Sequence, residues 1–245
     1  MTHCKNSGIA SSLATLFFPP LCLACDNIIR EEEGSRPFCP SCYSKITPCM
    51  DPLCSVCGMP LAGSGDEYRI CGKCLLRPPF FSRARTLGKY DGPLLEAIHL
   101  FKYQKNVTAG ERLGRMMARW SLDCLDLSAY ERIIPVPLHP SKLRNRGFNQ
   151  SLVLARQIAR TGSIPLDVTT LVKDSDGIAQ VGLGEEERKK NVRNRFSVCN
   201  RKGLSGKRFL LVDDVYTTGS TVDECARVLL MNGAKEVGVA ALARA

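Results

Sequence analysis

A chain of 245 residues has room for one sizeable α/β core and a small accessory module. Its 44% hydrophobic and 24% charged residues suit an ordinary globular protein, and no apolar run approaches the ~20 residues that a membrane span needs. The formal charge of +10 is uneven: residues 1–75 hold six Lys/Arg against seven acids, so the excess lies beyond them and would attract phosphate-rich small molecules or nucleic acid.

The first apolar patch, Leu13 to Phe18, is cut off by Pro19 and Pro20. It lacks the basic start and cleavage site of a secretory signal, so it reads as a short helix packed on the body of a cytoplasmic protein. The cysteines come next. Of thirteen, Cys22, Cys25, Cys39 and Cys42 are spaced C-x2-C-x13-C-x2-C, and Cys54, Cys57, Cys71 and Cys74 repeat that spacing. Each C-x2-C pair makes a tight knuckle whose thiolates converge, and two knuckles supply the four sulfurs of tetrahedral zinc. Disulfides between such neighbours would be strained and would be reduced in the cytoplasm. Two structural zinc ions are therefore expected, each closed by four ligands and held either by sequential quartets or by cross-braced knuckles. Gly58 and Gly72, each just after a cysteine, suit the left-handed turns of such knuckles. Cys4, Cys49, Cys124, Cys199 and Cys225 share no spacing and are expected to serve in packing.

Pro78, Pro79, Phe80 and Phe81 mark the exit from this module, which divides the chain into 1–78 and 79–245. Arg83 to Tyr90 reads as a strand. Asp91-Gly92-Pro93 opens a helix with Leu94, Leu95, Ile98 and Phe101 on one stripe and Lys102 on or near its exposed side. A second helix is expected from Thr108, three residues before Glu111 in a capping box. From residue 132 strands alternate with helices, the pattern of a parallel sheet with crossovers. The strand at 132–137 is followed by a basic stretch with Lys142, Arg144 and Arg146 and no acid between Leu138 and Arg160. Asn149 caps a helix that ends at Gly162. Ile164 to Val172 is β-like, Lys173 to Asn194 a mobile loop, and Phe196 to Cys199 a brief strand. Phe209 to Val212 has the unbroken apolar run of a buried central strand, Thr221 to Asn232 the pattern of an amphipathic helix, and Val237 to Ala243 that of a last strand.

The most informative segment joins that central strand to the helix: Asp213-Asp214-Val-Tyr-Thr217-Thr218-Gly219-Ser220-Thr221. In open α/β sheets ligands bind outside the carboxyl ends of the strands. The turn from Thr217 to Thr221 offers backbone amides and hydroxyls to one dianionic phosphate at a helix N-terminus. Asp213 and Asp214 are too near to welcome a second phosphate, but carboxylates accept from hydroxyls and so suit the 2- and 3-hydroxyls of a ribose. The pattern is that of a ribose-5-phosphate site, and neither G-x4-G-K-[ST] nor G-x-G-x-x-G is present.

This segment resembles the phosphoribosyl pyrophosphate (PRPP) signature of type I phosphoribosyltransferases. With Pro135-Val136-Pro137-Leu138, Arg146-Gly147-Phe148-Asn149-Gln150 and the cysteine knuckles, the chain resembles the competence protein F family over essentially its whole length. The resemblance implies a type I phosphoribosyltransferase-like parallel sheet with flanking helices, preceded by a small zinc-ribbon module. It assigns the ribose to Asp213 and Asp214, the 5-phosphate to Thr217, Thr218, Gly219, Ser220 and Thr221, and Mg²⁺ to the pyrophosphate, which would lie in the loop after Val136. Enzymes of known activity usually have a compact loop of small residues there, whereas this stretch is long and basic; its Arg144 and Arg146 are read as anion contacts because their forks match phosphate oxygens. Gln180, Arg188 and Asn191 resemble the family's Q…R…N pattern in the mobile loop.

Two functions follow. In one, a nucleophile displaces pyrophosphate from C1 of PRPP, with Mg²⁺, Arg and Lys neutralising the leaving group. In the other, the fold is a non-catalytic PRPP sensor that handles single-stranded DNA beside the competence machinery, and its binding falls with salt. An aromatic content of 7% argues against a strong base-stacking platform, and the near-neutral knuckles argue against a duplex reader.

Overall fold

The computed structural model describes residues 19–29, 36–63, 69–174 and 193–245. The helix expected at 13–18 and the loop carrying Gln180, Arg188 and Asn191 lie outside the described residues. Each cysteine-rich repeat ends in a short helix, α1 (Pro40–Tyr43) and α2 (Gly72–Leu76). Strand β1 (Arg83–Lys89) leads into α3 (Gly92–Tyr103), α4 (Val107–Cys124) and β2 (Arg132–Pro135). Helices α5 (Pro140–Arg146) and α6 (Gln150–Gly162) precede a two-stranded antiparallel ribbon, β3 (Leu171–Lys173) with β4 (Phe196–Val198). Strand β5 (Arg208–Tyr216), α7 (Ser220–Met231) and β6 (Glu236–Arg244) complete the order.

Among the described residues the main sheet is parallel throughout, in the order β1-β6-β5-β2. Alternation along β5 sends Phe209 and Leu211 to one face and Leu210 and Val212 to the other, which is why the strand is apolar at successive positions. Helices α3, α4 and α6 cover the Leu210 face through Leu94, Ile98, Leu113 and Leu154. Helix α7 covers the other through Val222, Cys225, Ala226 and Leu229.

Several sequence expectations shift at the level of single residues. Helix α4 starts at Val107 rather than Thr108, because the Asn106 side chain accepts from the Ala109 amide at 2.9 Å and takes the capping role. On α3, Ala97 joins Leu94, Ile98 and Phe101 in the core while Leu95 stays half-buried. Gly58 has the left-handed conformation expected of a knuckle (φ +68°), whereas Gly72 is the ordinary first residue of α2. The basic stretch after β2 is a helix, α5, started by Pro140 and capped by His139, whose Nδ1 accepts from the Ser141 amide. The β-like run 164–172 pairs with the sheet only at Leu166, against Ile133.

The cysteine repeats are built into the body. Cys22, Cys39 and Cys42 pack with α3 and α4 in one core cluster, and Cys54, Cys57, Cys71 and Cys74 belong to the cluster on the opposite face. One buried arginine anchors each repeat. Arg112 of α4 donates to the carbonyls of Leu21 and Arg36, both at 2.6 Å. Arg85 of β1 donates to the carbonyls of Cys54 and Ser55, both at 3.3 Å. Burial lowers the affinity of both guanidiniums for their protons.

Candidate functional site

The two metal centres are sequential quartets. The sulfurs of Cys22, Cys25, Cys39 and Cys42 all lie within 4.8 Å of one another, as do those of Cys54, Cys57, Cys71 and Cys74. The Sγ–Sγ separations of 3.8 Å (Cys25 to Cys39) and 3.7 Å (Cys57 to Cys71) can be compared with zinc geometry. Four sulfurs at about 2.3 Å from a tetrahedral ion stand roughly 3.8 Å apart, so the quartets fit zinc and are far too open for disulfides. Burial opposes ionisation of Cys54. The amides of Cys71, Cys57 and Val56 outweigh it, bringing the thiol down to about 6 and favouring the thiolate that zinc requires. With four protein ligands each, the sites are closed and structural.

The second candidate site lies where β2 and β5 end. The chain leaves β2 toward α6 on one face and leaves β5 toward α7 on the other, so the exits diverge and open a crevice at a topological switch point. Register places Pro135 beside Val212, and the Val136 amide donates to the Val212 carbonyl at 2.9 Å, so Asp213 is the first residue of β5 beyond β2. Both acids lie within β5 instead of following it, because the strand stays paired with β6 up to Tyr216 beside Arg244.

Asp213 is half-buried. Its Oδ1 accepts from the Ser151 hydroxyl and from the Asp214 amide, both at 2.9 Å. Burial, reinforced by the neighbouring charge of Asp214, raises its carboxyl to about 7. Asp214 forms an ion pair with Lys102 of α3, Nζ to Oδ2 at 3.0 Å. Neither Ser151 nor Lys102 was a candidate from sequence. Ser151 follows the Arg146–Gln150 motif directly, but nothing in the periodicity of α3 distinguishes Lys102 from a solvated lysine.

The phosphate turn is compact. Gly219 has φ +81° and is the N-cap of α7. Thr218 and Ser220 share a hydroxyl–hydroxyl bond of 2.8 Å, and the Ser220 amide points at Thr218 Oγ1 at 3.4 Å. A helix start leaves its first amides without carbonyl partners, and they carry the positive end of the helix dipole. Behind the turn, the space that a side chain at 219 would need is filled by the Tyr216 hydroxyl, so glycine is demanded by packing as well as by φ. Tyr216 is buried, which holds its phenol above the ordinary range, and the Arg244 guanidinium lies 4.3 Å over its ring.

Across the crevice, Asn149 caps α6 by accepting from the Ser151 amide at 3.0 Å and fixes the β2 exit by donating to the Val136 carbonyl at 3.0 Å. Arg146 donates to Gln150 Oε1 at 3.2 Å, while Arg144 is exposed on α5. The structure thus brings Asp213, Asp214 and the turn 217–221 onto one strand end, and places Arg144 and Arg146 on the helix that follows β2.

Fold and site together define the class: paired zinc ribbons joined to a phosphoribosyltransferase-type α/β domain. Residues 13–75 match the family described as "Double zinc ribbon domain", and residues 149–245 match "Phosphoribosyl transferase domain". Along the whole chain the likeness narrows. It is 34% identical over 232 residues to DNA utilization protein YhgH of Shigella flexneri, covering 94% of this chain and 99% of that one. It is 32% identical over 234 residues to Competence protein F of Haemophilus influenzae, with the same coverage. A solved glutamine PRPP amidotransferase from B. subtilis aligns with 55% of this chain and 26% of its own, at 24% identity and a TM-score of 0.37. The chain belongs to the competence protein F family.

Proposed function

We propose that residues 79–245 bind PRPP and transfer its phosphoribosyl group, with Mg²⁺, to an acceptor connected with the uptake or use of DNA. Residues 1–78 serve in this reading as a zinc-held scaffold. The observation that carries it is the placement of two carboxylates and a glycine-capped helix N-terminus at the end of one central strand. The amides of the turn would hold the 5-phosphate. Both described bonds to Asp213 fall on Oδ1, which leaves Oδ2 for a ribose hydroxyl, and Asp214 would receive the other in place of Lys102. A cation released from Asp214 would then be free to face the leaving pyrophosphate, together with Arg144 and Arg146. When bound with PRPP, Mg²⁺ supplies charge that lowers the cost of pyrophosphate departure. The names of the relatives, which concern competence and DNA utilisation, support the link to DNA.

In this reaction an acceptor lone pair forms the new bond to C1 as the C1–O bond to pyrophosphate breaks, and the departing anion keeps that electron pair. Calorimetry with PRPP and Mg²⁺ tests the site. Wild type should bind, and the folded double variant Asp213→Asn/Asp214→Asn should lose affinity at least about tenfold, as expected when two hydroxyl-accepting carboxyl groups are replaced. Equal affinity in the two proteins would remove the assignment.

A second reading, a PRPP-responsive single-strand binder without catalysis, draws on one observation. Lys142 and Arg146 stand one turn apart on a formed helix beside the crevice, with the exposed Arg144 on that helix's other side. Release of pyrophosphate on incubation with candidate bases, amines and DNA ends supports the enzyme. Salt-dependent binding of single strands without pyrophosphate release supports the binder.

A further inference from the structure

The phosphate turn touches the second cysteine quartet through two side chains. Arg244, at the end of β6, donates from Nη2 to the carbonyl of Cys57, a ligand of that quartet. The same guanidinium lies 4.3 Å over the ring of Tyr216, and the hydroxyl of Tyr216 fills the space against Gly219. The next residue of the knuckle is fixed as well: Gly58 has φ +68° and sits so close to the Ala84 carbonyl of β1 that a side chain there would overlap it. The Ala84 amide donates to Val56 at 2.7 Å, which fastens the knuckle to the sheet edge. Knuckle, guanidinium, phenol and turn therefore make one continuous packed path, and Phe81, edge-on to Tyr216 at 6.3 Å, closes its side.

The first quartet offers a contrast. Its buried arginine, Arg112, reaches the carbonyls of Leu21 and Arg36 on the opposite face of the sheet, and no described bond leads from it to residues 213–221.

We infer that Arg244 and Tyr216 are positioning residues through which the second quartet, Cys54, Cys57, Cys71 and Cys74, sets the conformation of the phosphate turn. The knuckle holds the Cys57 carbonyl where Arg244 meets it only while the four sulfurs are drawn together. A guanidinium so held keeps the Tyr216 ring pressed under Gly219. Loss of metal from this quartet then relaxes the turn and weakens its hold on an anion, whereas disturbance of the first quartet's anchor does not. The consequence for ligand binding rests on the sugar-phosphate reading above, but the mechanical link does not.

The test follows the Gly219 amide resonance in the zinc-loaded, full-length, ligand-free protein labelled with ¹⁵N-glycine. Arg244→Gln should shift or broaden Gly219 and leave Gly110 of α4 in place, and Arg112→Gln should leave Gly219 where it is in wild type. If Arg244→Gln does not fold, Arg244→Lys serves, since it keeps the charge over the ring but not the planar fork, and a smaller displacement of Gly219 is expected. Gly219 unmoved by the Arg244 change, or moved equally by the Arg112 change, would overturn the inference. A second arm measures PRPP–Mg²⁺ affinity, which should fall about tenfold in Arg244→Gln. Wild type that does not bind PRPP, combined with a Gly219 that answers to Arg244, would remove the ligand reading and keep the link. Binding in wild type with a silent Gly219 would do the reverse.

Discussion

Asp213 makes the stability of this protein depend on pH in a definite direction. Its folded-state pKa, raised by burial and then by Asp214, is about 7, against an ordinary value of 3.8. The folded chain therefore holds this proton more tightly than the unfolded one. The stabilising contribution is complete below about pH 4 and is lost as pH rises through about 7. Asn cannot ionise, so Asp213→Asn should gain on wild type across that window and hold its advantage above it. Denaturant midpoints of the two proteins, compared at each pH, measure this, and a difference constant from pH 4 to 8 would contradict it. At the same scale, Gly219→Ala must place a side chain at φ +81° and against the Tyr216 hydroxyl. The backbone part alone costs about 1–2 kcal/mol. Removing the hydroxyl should relieve part of the steric cost, the ring carbon Cζ at 2.6 Å from the added Cβ remaining, so Gly219→Ala should be less destabilising in a Tyr216→Phe background. Additive effects in that double-mutant cycle would show that the two residues do not press on one another.

Among the elements, the anchors of the cysteine repeats are the most exposed to mutation. Arg112 satisfies two backbone carbonyls from a buried position, and Lys cannot reach both with one ammonium. Arg112→Lys should cost about 1–3 kcal/mol in urea unfolding, the range for leaving a buried polar group unpaired; a change within error would contradict the anchoring role. The order of strands and helices in the body was legible from sequence because buried parallel strands are continuous apolar runs, as in Phe209 to Val212. The start of α4 was not. Thr108 and Glu111 form a plausible capping box, but Asn106 caps two residues earlier, and only the backbone geometry decides between them. Helix α5 was hidden by its composition, since Pro, Ser, Asn and three basic residues give no apolar stripe to detect and its face is covered by no core. The acids and the hydroxyl turn of the candidate site were visible because they are adjacent in sequence. Lys102 and Arg244 were not, because each meets its partner only after the chain has folded over more than a hundred residues.

At the scale of the molecule, the cysteine quartets, the exposed Cys25 excepted, belong to the two cores that sandwich the sheet, one on each face. Metal should therefore hold the α/β body together as well as its own knuckles. Heating the zinc-loaded protein should give one cooperative transition, and chelation should lower it as a whole. Two separate transitions, with only the first sensitive to chelator, would mean that the quartets and the body fold independently. Among the described residues no helix is long and apolar enough to cross a membrane. The account as a whole depends on where a sugar phosphate sits. A crystal structure of the complex with PRPP and Mg²⁺ tests this most directly. The 5-phosphate should lie against the amides of residues 218–221, with the ribose hydroxyls on Asp213 and Asp214 and Lys102 withdrawn. A phosphate bound only along α5, with the Lys102–Asp214 pair intact, would contradict the account.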